Sequence, residues 1–287
     1  MKHVVILCGG RSTEHDISFL SASSVLQNLD TAKYKLSVIG IQRDGSTYSP
    51  DATAAKLNLQ DSSHLLFPSV ERWMCALSTL DPPADVVFPV LHGSYGEDGT
   101  VQGALELLDL PYVGAGVWGS AVALDKIHSK KILKESGLPV LPCLVTSRTH
   151  WRNQPLVFLQ EVEKKLSYPV FVKPANLGSS VGINKSKDRK DLESHLEVAF
   201  NYDNFILVEQ GIEAREIEVS VLGNECPEVS LAGEIIPSEE FYSYQAKYLD
   251  QKSQLLIPAP LSKTQMQEVQ KLALAVFLCS AMLISLL

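Results

Sequence analysis

Two unbroken apolar runs constrain this chain most: Val4-Val5-Ile6-Leu7 near its start, and Val86-Val87-Phe88-Pro89-Val90-Leu91 further on, each closely followed by glycine. A strand with one wet face alternates apolar and polar residues, so an unbroken run must be dry on both faces. Parallel sheets covered by helices on each side meet that demand. Gly9-Gly10, Ser12 and the amphipathic stretch to Leu29 read as a turn and helix, and Leu36 to Ile41 as the next strand. Residues 50 to 83 are weakly patterned. Val101, Leu105 and Leu108 predict a helix that Pro111 ends, and Gly114-Ala115-Gly116 makes a joint. The expectation is a Rossmann-like α/β domain over residues 1–113.

Val170 to Pro174 and Phe205 to Glu209 read as strands, with a glycine-serine loop and a helix from Asp191 to Phe200 between them, predicting a small central α+β domain over 114–208. Glu216 to Leu222 and Glu228 to Ile236 alternate as strands do, 237 to 254 is loop-like, and 261 to 287 reads as one helix. These form a third α+β domain over 209–287. A chain of 287 residues is long enough for such a division. Its net charge of -8 argues against a polyanion binder and so against nucleic acid, while leaving room for a basic pocket that takes one nucleotide. Five cysteines without a C-x-x-C pair suggest reduced thiols in the cytoplasm. The first apolar run is too short for the core of a signal peptide.

Several segments carry candidate chemistry. Lys173 ends a strand and precedes Ala175-Asn176-Leu177-Gly178-Ser179-Ser180-Val181-Gly182, where small residues let backbone N–H groups approach phosphate oxygens; the plain alternative is a hairpin loop. No G-K-[ST] follows, so this is not a P-loop. Lys126 opens a helix and is either a surface lysine or a second phosphate ligand. His92 lies in Leu91-His92-Gly93-Ser94-Tyr95-Gly96-Glu97-Asp98-Gly99, at the end of a buried strand where open α/β sheets bind ligands, although a histidine there can be structural. Glu14 is either a helix-capping acid or an anchor for a substrate ammonium. Tyr242 to Tyr248 reads as a lid, with core packing as the alternative.

Taken together, Gly9-Gly10 with Glu14, His92-Gly93 through Gly99, Lys126, Lys173-Pro174 with Gly178 to Gly182, and Tyr244 to Tyr248 resemble the D-alanine-D-alanine ligases of the ATP-grasp superfamily, in order from residue 4 to about 275. The resemblance implies that ATP phosphorylates one D-alanine carboxylate and that the amine of a second D-alanine attacks the acyl phosphate, giving a dipeptide for peptidoglycan. It implies that Lys126, Lys173 and the amides near Ser179 and Ser180 hold phosphates, and that Glu14 takes the first ammonium in a network with Ser179 and Tyr248. His92 is implied near that substrate's carboxylate, Glu209 and Glu216 near adenine and ribose, and Lys247 on the lid. Tyr248 resembles the dipeptide-forming members rather than those using D-lactate. A cytoplasmic homodimer formed through the N-terminal domain, with no membrane partner, is implied as well.

The chain departs from the family at its end. Family members continue through a strand bearing an arginine and an aspartate, then a glutamate and an asparagine two residues apart, which hold magnesium ions; here no Asp, Glu, Asn or Arg follows Lys271. The expectation is a truncated third domain without metal ligands and strongly reduced ligase activity, with a non-catalytic nucleotide- or D-alanine-binding remnant as the alternative. The apolar tail is expected as a partly unburied helix rather than an anchor, since a membrane span needs about 20 apolar residues.

Overall fold

The computed structural model describes residues 1–59, 61–68, 71–238 and 252–281, in two compact units, Met1–Leu124 and Asp125–Leu287. The first unit runs β1 (Lys2–Gly9), α1 (His15–Asn28), β2 (Tyr34–Ile41), α2 (Pro50–Leu57), β3 (Leu65–Leu66), α3 (Trp73–Ser78), β4 (Val86–Pro89), α4 (Thr100–Leu107) and α5 (Val117–Leu124). Its sheet has the order β3-β2-β1-β4, and every pairing is parallel. Val4, Ile6 and Cys8 pack with Phe19, Ala22 and Leu26 of α1, while Val5 and Leu7 pack with Leu77, Val101 and Leu105 from α3 and α4. Successive side chains of β1 thus enter two separate cores, which is why its sequence shows no polar alternation.

The stretch expected to be weakly patterned contains α2, β3 and α3. Its signal lies in the capping residues: Ser49 accepts from the Ala52 N–H at 3.3 Å, and Pro50 fills the first helical position, where its missing N–H costs nothing.

The second unit holds α6 (Lys126–Glu135), β5 (Cys143–Ser147), α7 (Arg148–Asn153), α8 (Pro155–Lys165), β6 (Val170–Pro174), β7 (Asn184–Ser186), α9 (Arg189–Ala199) and β8 (Phe205–Gln210). These give an antiparallel sheet of order β5-β8-β6-β7. Val170, Val172, Ile206 and Val208 point into a core with Phe158, Leu159 and Val162 of α8 and Leu192 and Leu196 of α9. Leu207 points the other way and packs with Ile127 of α6. By the strand period of two, Lys173 and Glu209 share that second face.

Further along come β9 (Glu216–Glu218), β10 (Val221–Leu222), β11 (Glu228–Val229), β12 (Gly233–Ile236), β13 (Gln254–Leu256) and α10 (Lys263–Ala281). The two long strands expected here are each broken in two: β10 pairs with β11 as a separate ribbon, and β12 joins β9 and β13 in a three-stranded sheet. The Ser230 N–H and hydroxyl bond within Ser220 to Leu231, which turns the chain between the two pairings. The expected helix over 261–287 is α10, which lies against α6, β10 and β11. None of residues 263–280 is fully buried, and 282–287 lie outside the described residues. No helix among the described residues is long and apolar enough to cross a membrane.

Candidate active site

In the second unit the site is built on the sheet face opposite α8 and α9. Asp125 caps α6, accepting from the N–H groups of Ile127 and His128 at 2.9 and 3.0 Å. Lys126 and Lys130 are then four residues apart on one helix face, turned toward the strands. Glu209, 5% exposed, receives hydrogen bonds from both Lys130 and Lys173. In the register Phe171 stands opposite Glu209 and Lys173 opposite Leu207, so Lys173 and Glu209 are diagonal neighbours on one face.

Lys126 is no solvated surface lysine. Its ammonium donates to the Leu177 carbonyl, and its backbone N–H donates to the Ala175 carbonyl at 3.0 Å. Burial, and after it the nearby positive charge of Lys173, pulls its pKa down to about 8. Burial pushes the Glu209 carboxyl up, but the Lys173 charge and the hydrogen bonds from Lys130 and Lys173 outweigh that and hold it below the ordinary range.

The segment 175–183 connects β6 to antiparallel β7, so it is a hairpin loop as well as a phosphate-loop candidate. Asp203 secures its start, accepting from the Asn176 backbone and side-chain N–H groups at 2.8 and 3.0 Å. Ser179 and Ser180 have φ of 48° and 59°, a left-handed pair that turns the backbone sharply at the tip. Gly182 has φ 71°, and a Cβ there would lie 2.8 Å from Pro174 and 2.9 Å from Tyr202, so a side chain is excluded on two grounds.

In the first unit, β1 and β4 are parallel neighbours, and the segments leaving their C-terminal ends converge. Glu14, 5% exposed, occupies the N-cap position of α1, yet its side chain makes no capping hydrogen bond. A Cβ on Gly93 would come within 2.5 Å of its Oε2, so this carboxylate lies directly against the His92-Gly93 segment. His92 pairs through Nε2 with the Ser21 hydroxyl at 2.8 Å, and its Nδ1 stands 3.7 Å from Glu97 Oε1, an ion-pair rather than a hydrogen-bond separation. Glu97 also accepts from the Gly93 N–H at 2.7 Å. The Glu97 carboxylate, with a lesser contribution from Glu14, outweighs burial and raises the His92 pKa.

The sign of that effect is testable. A histidine whose folded pKa is raised contributes stability below its unfolded pKa and loses it as pH rises through the folded value. Glu97→Gln is expected to move the His92 titration, followed by NMR of the ring protons, toward lower pH; an unmoved titration contradicts the pairing.

Comparison with known proteins decides what these two constellations belong to. The family described as "D-ala D-ala ligase N-terminus" matches residues 3–115, and that described as "D-ala D-ala ligase C-terminus" matches 132–282. The chain belongs to the D-alanine-D-alanine ligase family. The D-alanine--D-alanine ligase of Thermoanaerobacter sp. (strain X514) is 47% identical over 289 residues, 96% of this chain and 79% of the relative, and that of Caldicellulosiruptor bescii is 49% identical over 278 residues, 94% and 76%. Among solved structures, the VanG D-Ala:D-Ser ligase from Enterococcus faecalis superposes with a TM-score of 0.81 at 32% identity, covering 98% of this chain and 83% of that one. The D-alanine-D-alanine ligase from Coxiella burnetii gives 0.77 at 33% identity, with 98% and 77% covered. The fold is therefore that of the ATP-grasp ligases.

Seen within that family, Lys126, Lys173, Glu209 and the Ser179-Ser180 loop gather on one face of the second unit, and Glu14 and His92 gather in the first. Glu216 opens β9, on a different sheet from Glu209. Lys247 and Tyr248, with the rest of the expected lid from Tyr242, lie outside the described residues. Lys130 is the site residue that sequence reading missed, although its spacing from Lys126 was the available signal. For the magnesium that the resemblance implies, no group of three or more His, Cys, Asp or Glu among the described residues could hold a metal ion. The described side chains do not by themselves fit the metal.

Proposed function

We propose that this chain carries the site for ATP-dependent joining of two D-alanines through an acyl phosphate, the step that supplies D-alanyl-D-alanine for peptidoglycan. One observation carries the reading: two half-buried lysines, Lys126 and Lys173, close enough for one to depress the other's pKa, stand beside a left-handed serine-glycine loop. Like charges held together out of water are unfavourable alone and become favourable when a polyanion enters. Lys126, Lys173 and the amides near Ser179 and Ser180 bind the phosphates and stabilise charge on the transferring group. Glu209 and Glu216 face adenine and ribose, and Lys247 closes from the lid. Glu14 binds the first D-alanine's ammonium with Ser179 and Tyr248, and His92 lies near its carboxylate. We assign 114–208 and 209–287 as the central and C-terminal parts that grasp the nucleotide.

A phosphate-release assay with D-alanine, ATP and magnesium tests this reading. Phosphate release that depends on D-alanine and exceeds the ATP-only background is expected, and no release above that background contradicts it. Nucleotide binding without turnover instead supports the alternative of a non-catalytic nucleotide- or D-alanine-binding protein. Exposed Leu107, Val113, Val117 and Trp118 support a homodimer through the first unit, to be read from the molar mass in light scattering.

The pKa of Lys126 gives a signed prediction. Folded, it loses its proton near 8 against an ordinary 10.5. Between those values the unfolded chain holds the extra proton, so this group makes stability rise with pH. ATP affinity needs the charged form and is expected to fall as pH climbs through about 8. In Lys126→Arg, whose guanidinium stays charged, the fall should vanish when measured by titration across that range.

A further inference from the structure

Among the groups that the proposed reaction does not use, Lys130 stands out. It lies one helical turn after Lys126 and is four-fifths buried, with 18% of its side chain exposed. It is held at two points, the Glu209 carboxylate and the Leu141 carbonyl at 3.2 Å. Lys173, by contrast, has Glu209 as its hydrogen-bonding partner among the described residues and otherwise rests 5.6 Å from the centre of the Phe171 ring.

We propose that Lys130 is a positioning residue for nucleotide binding: it holds Glu209 as the anion while Lys173 leaves that carboxylate for the phosphates. This deepens the nucleotide reading and rests on it. The physical reason is charge balance. A buried carboxylate left with no cation is strongly unfavourable, so a Lys173 that was its sole partner would stay bound to it. With Lys130 fixed at both ends, Glu209 keeps one counter-charge after Lys173 departs. Its geometry, held from the α6 side and from Leu141, also persists for contact with the base. The asymmetry of the two anchorages says which lysine moves: the one with a single hydrogen-bonding partner among the described residues.

The variant of choice is Lys130→Gln, which keeps a donor for the Leu141 carbonyl and removes the charge. ATP and adenosine affinities are titrated in the 287-residue chain, in Lys130→Gln, Lys130→Arg and Lys173→Met, and in the Lys130→Gln/Lys173→Met pair. The ratio of ATP to adenosine affinity is the readout, because a merely structural role moves both ligands together. The ratio is expected to drop about tenfold in Lys130→Gln, the size of one charge-assisted phosphate contact, and to return in Lys130→Arg. In the Lys173→Met background, Lys130→Gln should leave it unchanged. An unchanged ratio in Lys130→Gln while Lys173→Met lowers it overturns the positioning role and leaves the nucleotide reading standing. An unchanged ratio in Lys173→Met overturns both.

Discussion

Replacing Lys173 with methionine is expected to weaken ATP binding about a hundredfold or more, the largest effect on function of any single change considered. The phosphates lose a charge-assisted contact made in a partly dry site, where such contacts are worth up to about 3 kcal/mol. Methionine nearly conserves the length and apolar stem of lysine, so the sheet should stand. The control is Lys131→Met, whose side chain lies on the exposed side of α6 and which should change affinity little. Calorimetric titration reads both, and equal affinities in the two variants contradict the assignment of Lys173.

The largest effect on stability is expected from Phe158→Ala. Phe158 is 1% exposed and packs edge-on against the rings of Trp151 and His150, each 6.4 Å away. It fills the layer between α8 and the face of the sheet opposite Lys173 and Glu209. Truncation leaves a cavity and removes the ring's burial, which costs about 3 to 5 kcal/mol in closely packed cores. Leu156→Ala, two residues earlier on the exposed side at 64%, should cost within about 0.5 kcal/mol. Urea denaturation of the two variants checks the contrast, and a Phe158→Ala cost near that of Leu156→Ala contradicts the packing described.

Much of the architecture was legible because burial leaves a periodic trace. The runs at β1 and β4 have two dry faces, and Val170 to Pro174 alternates because Val172 meets a core while Lys173 meets the site. Where the trace is short it misleads. Glu216 to Val221 alternates without a break, yet a change of pairing partner at Ser220 splits it, and no residue-by-residue periodicity encodes which strand comes alongside. The helices α2 and α3 are too short and too weakly apolar to show a period, and α2 declares itself through Ser49 and Pro50. For the site, the glycine-serine loop and the lysines were legible as chemistry. The double grip on Glu209 was not, because it depends on a turn of α6 lying over β8, a distance of dozens of residues in sequence. Glu209 was expected from the family resemblance to lie near the base; what the structure shows is its carboxylate held by Lys130 and Lys173.

The most direct test of the central claim is detection of D-alanyl-D-alanine by mass spectrometry after incubation of the chain with ATP, magnesium and either D- or L-alanine. Product with D-alanine but not with L-alanine, lost in Lys173→Met, is the expected result. Product from both enantiomers, or an undiminished yield in Lys173→Met, contradicts it.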